Sequence, residues 1–311
     1  MQRDVNPDQT QPAVLPDIKY ALMFPNFGPY SDASLMADLA AEAENAGWDG
    51  VFVTDIIQME GYEDSPSADP WITLSAIAMT TERIRIGPRV TAPPRMRPWQ
   101  LARQAASLDQ LSNGRLILGV GIGDEHDRGF SVFGEEMDMK ARAGMLDESL
   151  AILEGLWSGE PFSFEGEHYQ FDEITLLPRP VQQPRVPIWA GWVWPNQRPM
   201  RRAVGWDGAS PGVINEDGSY GEMTPDGVRR LREYASARRG PDESFDIIVD
   251  ADLFDAPEHE AIRRRIHDYA EAGATWCAQF LLPEFHPDHV RSAIWEAAPV
   301  RESAAVTVTV I

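Results

Sequence analysis

Short apolar runs alternate with amphipathic segments eight times along this chain, and few folds accept that rhythm. The runs fall at residues 19–24, 49–54, 83–87, 115–124, 187–191, 207–210, 245–253 and 275–282. A helical segment follows each one. Strands that alternate with helices pair in parallel, because the chain must return before it can extend again. Eight such units in roughly 290 residues predict a closed (β/α)8 TIM barrel, an α/β fold, rather than an open doubly wound sheet.

The stretch 83–124 shows the pattern most clearly. Leu101, Ala105, Leu108 and Leu111 recur at the spacing of one buried helical face. Gly114 follows, where a left-handed residue can close the helix. The run 115–124 is apolar without alternation, as expected of a parallel strand covered on both faces. Gly119, Gly121 and Gly123 leave its end bare, so a flat or phosphorylated ligand could come close. Elsewhere Pro70 opens a helix, Gly47 and Gly273 close two others, and residues 125–139 read as an acidic loop. Residues 162–171 alternate aromatic and polar side chains around Glu165-Gly166, a hairpin inserted after the fourth helix. Residues 1–17 and 301–311 read as tails flanking a barrel of residues 18–300, and the first of them is polar and carries no apolar signal core.

Composition narrows the function. Acidic residues number 49 against 27 basic ones, a net charge of −22, which repels nucleic acid and anionic membrane. No apolar run approaches the ~20 residues of a membrane span, so a cytoplasmic protein is expected. The single cysteine, Cys277, excludes an internal disulfide framework and sits in an apolar run, where a buried inert thiol is expected. No metal site is expected.

In a barrel the site lies at the C-terminal ends of the strands. Here those ends are residues 25–26, 54–55, 89–91, 121–124, 191–196, 209–210, 250–252 and 280–281. No nucleophile elbow, phosphate loop or metal-binding helix motif occurs there, and Gly119, Gly121 and Gly123 lack the helix-opening third glycine of a dinucleotide fingerprint. Asp55, Asp124 and His126 are the titratable groups best placed to face the mouth. Asp55 and Asp124 serve either as strand-end hydrogen-bonding groups or as site residues, and His126 is either a solvated loop histidine or a catalytic one. Trp192, Trp194 and Phe27 are candidates for an aromatic wall, or for core packing. Asn196 opens a segment whose free amides could receive a phosphate. Bare glycines, aromatic side chains and no acid–base cluster point to a bound cofactor that supplies the chemistry.

Several motifs then occur in a fixed order: residues 101–115 running into Leu118-Gly119-Val120-Gly121, then Leu156-Trp157-Ser158-Gly159-Glu160, Phe164-Glu165-Gly166-Glu167-His168 and Leu177-Pro178-Arg179-Pro180. In these the chain resembles the bacterial luciferase-like flavin-dependent oxidoreductases. The resemblance implies a TIM barrel, usually dimeric, that binds FMN or the related deazaflavin, coenzyme F420. By position, Arg89 and Val90 match a non-proline cis peptide that backs the flavin ring, with Thr91 beside it. Gly121, Ile122, Gly123 and Asp124 would line the ring's edge. Gly191, Trp192 and Asn196 would approach the ribityl chain and phosphate. Many members carry a histidine directly after the strand-two acid, whereas this chain has Asp55-Ile56. The favoured expectation is an FMN-dependent monooxygenase acting on a small organic substrate, with flavin reduced by a separate reductase as partner or by NAD(P)H. The alternatives are an F420-dependent reductase or dehydrogenase, and a non-catalytic barrel that binds a ligand or stabilises a homologue.

Overall fold

The computed structural model describes residues 16–299, apart from 217–219, 241–242 and 256–258. Of the expected tails, residues 1–17 and 301–311, only 16 and 17 are described; residues 1–15 and 301–311, with the apolar alternation at 306–311, lie outside the described residues.

Eight parallel strands form the barrel: β1 (Lys19–Phe24), β2 (Gly50–Val53), β3 (Arg85–Pro88), β4 (Leu118–Val120), β7 (Ile188–Trp194), β8 (Gly208–Ile214), β10 (Asp246–Asp250) and β11 (Trp276–Phe280). Their order is β3-β2-β1-β11-β10-β8-β7-β4. Parallel bridges between Ile86 and Leu116 and between Thr91 and Val120 bring β4 back to β3 and close the ring. The inserted hairpin is β5 (Phe162–Glu165) and β6 (Gln170–Ile174), paired antiparallel.

The helices α1 (Ala33–Ala46), α2 (Pro70–Thr80), α3 (Pro98–Leu111), α5 (Met139–Trp157), α6 (Gln197–Ala203), α7 (Pro225–Ser236), α8 (Glu260–Ala272) and α9 (Pro287–Glu296) follow the barrel strands or, for α5, precede the hairpin. Local sequence sets their ends. The Asp32 and Asp69 side chains accept backbone N–H groups of the first turns of α1 and α2, and Gly47 and Gly273 close α1 and α8 at φ 96° and 101°. None of the described helices is long and apolar enough to cross a membrane.

Three details depart from the sequence reading. Residues 125–139 are not all loop: α4 (Arg128–Phe133) lies within them, capped by Asp127 and ended by Gly134 in the left-handed conformation. A helix this short carries too few turns for its periodicity to be visible among acidic neighbours. Strand β4 covers only Leu118–Val120, so residues 121–124 belong to the loop. Strands β7 and β8 run beyond their expected ends and stay paired through Trp194 and Val213, with β9 (Tyr220–Gly221) added antiparallel. These extended strands form a raised wall on one side of the barrel mouth.

The core has two parts. A large cluster fills the space between strands and helices, and a smaller one fills the lumen: Ala21, Phe52, Ile117, Trp189, Ile248, Trp276 and Ala278. Phe52, Trp189 and Trp276 pack with ring centroids 5.3–6.0 Å apart and plug the barrel. Cys277 faces the outer cluster, and burial pushes its thiol pKa far up.

Candidate active site

Side chains alternate along a strand, so the next inward positions above the plug lie two residues further along. They include Met23, Gly119, Gly191 and Asp250, with Arg89 just beyond β3. β3 and β10 stand on opposite sides of the ring, with β2, β1 and β11 between them one way and β4, β7 and β8 the other. Arg89 spans that gap. Its Nη1 and Nη2 donate to Asp250 Oδ1 and Oδ2 at 2.6 and 3.1 Å, and its Nε donates to Ser210 Oγ at 2.9 Å. Nη1 also lies 2.9 Å from the Met23 sulfur. The guanidinium is buried at 5% exposure, whereas the Asp250 side chain remains 38% exposed. A bidentate ion pair therefore forms a polar floor above the aromatic plug.

The Arg89–Val90 peptide is cis. Val90 is set among backbone from two strands. A Cβ at Gly121 would lie 2.9 Å from Val90, and one at Gly191 would lie 3.0 Å from it. These glycines thus make room for the Val90 side chain, which occupies the space that the sequence reading left for a ligand. Gly123 has φ 90°, and Phe130 fills the position its side chain would take. The next residue, Thr91, is fully buried and bonds through its backbone to Gly119 and Gly121.

A second polar group ties the loops of the rim. Asp55 receives Thr91 Oγ1 on Oδ2 and Arg95 Nη2 on Oδ1, the latter at 2.7 Å. Arg95 Nη1 reaches Asp127, which also accepts the backbone N–H groups of Ile57, Gln58 and Gly129. Arg95 thus joins two buried carboxylates on different loops. Burial pushes the Asp55 carboxyl above the ordinary carboxylate range, and Arg95 and Thr91 hold it partly back. His126 lies on the outer side of this clamp, exposed, with Nδ1 3.1 Å from Glu60 Oε2. Glu60 raises its pKa above 6.5, with Asp124 adding to the effect. Asp124 accepts the His126 backbone N–H at 2.8 Å, and Ile122 is partly buried against the outer core. Asp55 and His126 are therefore separated by the rim clamp rather than gathered around one point.

Arg142 Nη1 and Trp192 Nε1 are among the buried donors that lack an acceptor within the described residues. Arg142, at 1% exposure, stacks on Phe130 with its guanidinium carbon 3.8 Å from the ring centroid, and burial lowers its pKa. Arg95 packs on the same ring at 5.4 Å. Trp192 packs with the outer cluster, on the helix side of β7. Asn196 precedes α6, a helix of only seven residues, and its side chain makes no capping bond. Phe27 packs against Tyr62 with centroids 5.2 Å apart. The sequence reading did not single out Arg95, Asp127 or Arg142, and it noted Ser210 only as a strand end. It noted Asp250 only as a strand end, because its partner lies 161 positions away. Among the described residues, no group of three or more His, Cys, Asp or Glu side chains is arranged to hold a metal.

A family model described as luciferase-like monooxygenase matches residues 20–305. The chain belongs to that family. It is 36% identical over 171 residues to an F420-dependent glucose-6-phosphate dehydrogenase of Nakamurella multipartita, a match covering 53% of this chain and 47% of that protein. The chain thus spans about half the length of this relative. A protein of the same description from Microbacterium testaceum is 27% identical over 253 residues, 80% of this chain and 71% of the relative. Among solved structures, an F420-dependent secondary alcohol dehydrogenase in complex with an F420-acetone adduct superposes with a TM-score of 0.71 at 17% identity, covering 91% of this chain and 98% of the other. That likeness bears on the fold alone.

The residues present fit a flat ring with an anionic tail. The inward positions at the mouth are open, with Val193, Phe280 and Asp250 each more than a third exposed. The orphaned Arg142 Nη1 is a buried cationic donor in want of an acceptor.

Proposed function

We propose that this protein is a dehydrogenase dependent on the deazaflavin coenzyme F420, oxidising a hydroxyl-bearing organic substrate or running the reverse reduction. The observation that carries this reading is the description shared by the relatives above, F420-dependent dehydrogenases matched over up to 80% of the chain. The FMN-dependent monooxygenase favoured from sequence has weaker support. A deazaflavin reading also removes the need for a separate flavin reductase, because the substrate itself reduces the cofactor.

A bound deazaflavin would supply the hydride-transfer chemistry. The chain's own residues provide the setting. Val90, fixed between Gly121 and Gly191, would back the ring. Arg142 would supply positive charge to the phosphate. Phe130 shields the Arg142 and Arg95 guanidinium groups from water. The Asp55–Arg95–Asp127 clamp keeps the rim loops in register above the ring.

Titration with F420 and, separately, FMN tests the reading through absorbance and fluorescence. Tight binding of F420, and its reduction by an alcohol without oxygen consumption, is expected. Binding of FMN alone, with oxygen uptake, would restore the monooxygenase. Binding of neither would favour a non-catalytic barrel.

A further inference from the structure

Asp250 differs from the two carboxylates of the rim clamp. Asp55 and Asp127 are buried and spent on loop hydrogen bonds, whereas Asp250 is 38% exposed although its partner Arg89 is almost fully buried. A carboxylate offers about four lone-pair positions, and the Arg89 fork uses one on each oxygen. The exposed remainder can face only one way. β8 and β11 flank β10 on either side, and the aromatic plug closes the lumen below. Asp250 therefore presents its open lone pairs to the mouth, and the two-point grip of Arg89 fixes the plane in which they lie.

We propose that Asp250 is the substrate-positioning residue, accepting a hydrogen bond from a substrate hydroxyl, so that the pocket selects uncharged or cationic alcohols over phosphorylated or carboxylated ones. This inference rests on the dehydrogenase reading above and adds the substrate class to it. Two further observations support it. The guanidinium groups beside the floor and rim, Arg89 and Arg95, are already matched by carboxylates, so neither is available to an incoming anion. An anionic group near Asp250 would meet like charge in a site of lowered dielectric. Arg89 acts through Asp250 by holding its orientation, and so is a positioning residue rather than a contact.

The test uses the full chain loaded with F420 and two matched pairs of probes, cyclohexanol with cyclohexanecarboxylate and glucose with glucose 6-phosphate. Binding is followed by calorimetry and by the fluorescence of the bound cofactor. The neutral member of at least one pair is expected to bind about tenfold more tightly or better, because a site built around an acceptor rewards a hydroxyl and rejects an anion. Asp250→Asn is expected to weaken the alcohol about tenfold, with F420 affinity unchanged within about twofold. Equal or tighter binding of the anionic members, failure of every probe to bind, or an Asp250→Asn protein that keeps its alcohol affinity would each overturn the proposal. Should that variant not fold, the wild-type preference between paired probes decides the matter. Failure to bind F420 at all would sink the dehydrogenase reading itself, whereas F420 binding with the wrong probe preference sinks only this inference.

Discussion

Arg89 and Asp250 meet across the full width of the barrel, joining β3 to β10 at 2.6 and 3.1 Å. The two ends of this pair are unequal. Removing Asp250 strands a buried guanidinium, whereas removing Arg89 strands a carboxylate that water can reach. Asp250→Ala is therefore expected to cost more stability than Arg89→Ala, about 3–5 kcal/mol against roughly 2 kcal/mol, since an unpaired buried charge carries the larger penalty. Urea denaturation of both variants and the double mutant reads the difference. Equal losses would mean that Arg89 is hydrated in solution.

The glycines around Val90 make a second prediction. A methyl group at Gly121 would lie 2.9 Å from Val90 and force it to move. Gly121→Ala should cost about 1–3 kcal/mol as an overpacked site and should weaken cofactor binding through the shifted Val90. Adding Val90→Ala should recover part of the lost stability. Thermal denaturation together with cofactor titration checks both effects, and two strictly additive losses would count against the contact.

The rim clamp should fail unevenly. Asp127 is buried and accepts three backbone N–H groups as well as Arg95. Asp127→Ala should destabilise by about 3 kcal/mol or more, because it leaves buried donors and a charge unpaired. Asp55→Asn should cost less, because burial already opposes the charge on Asp55. Hydrogen exchange at Ile57 and Gln58 should quicken in the first variant well before global unfolding. Unchanged protection there would show that other contacts hold the loop.

The pH response of the outer loops follows from His126. Glu60 raises its folded-state pKa above 6.5. The attraction is therefore complete below about 6.5, the unfolded value, and fades as pH rises through the raised folded value. An NMR titration of the His126 ring should give a midpoint above 6.5, and Glu60→Gln should bring it back towards that value. A midpoint indifferent to Glu60→Gln would mean that the two side chains do not meet in solution. Because both groups are well exposed, salt should weaken the effect.

The sequence by itself determined the order of strands and helices, the helix ends marked by Gly47, Pro70 and Gly273, and the inserted hairpin. Each is written in residues a turn or two apart, and such signals survive without knowledge of the fold. The motifs at 101–121 and 156–180 carried the family. The tertiary structure alone decided that Arg89 faces Asp250, that Val90 fills the space beside Gly121 and Gly191, and that Arg95 sits between Asp55 and Asp127. Those contacts join residues brought together only when eight strands close into a ring, so their partners depend on strand order and register. Periodicity records which face of a strand points inward. It does not record which inward residue stands opposite.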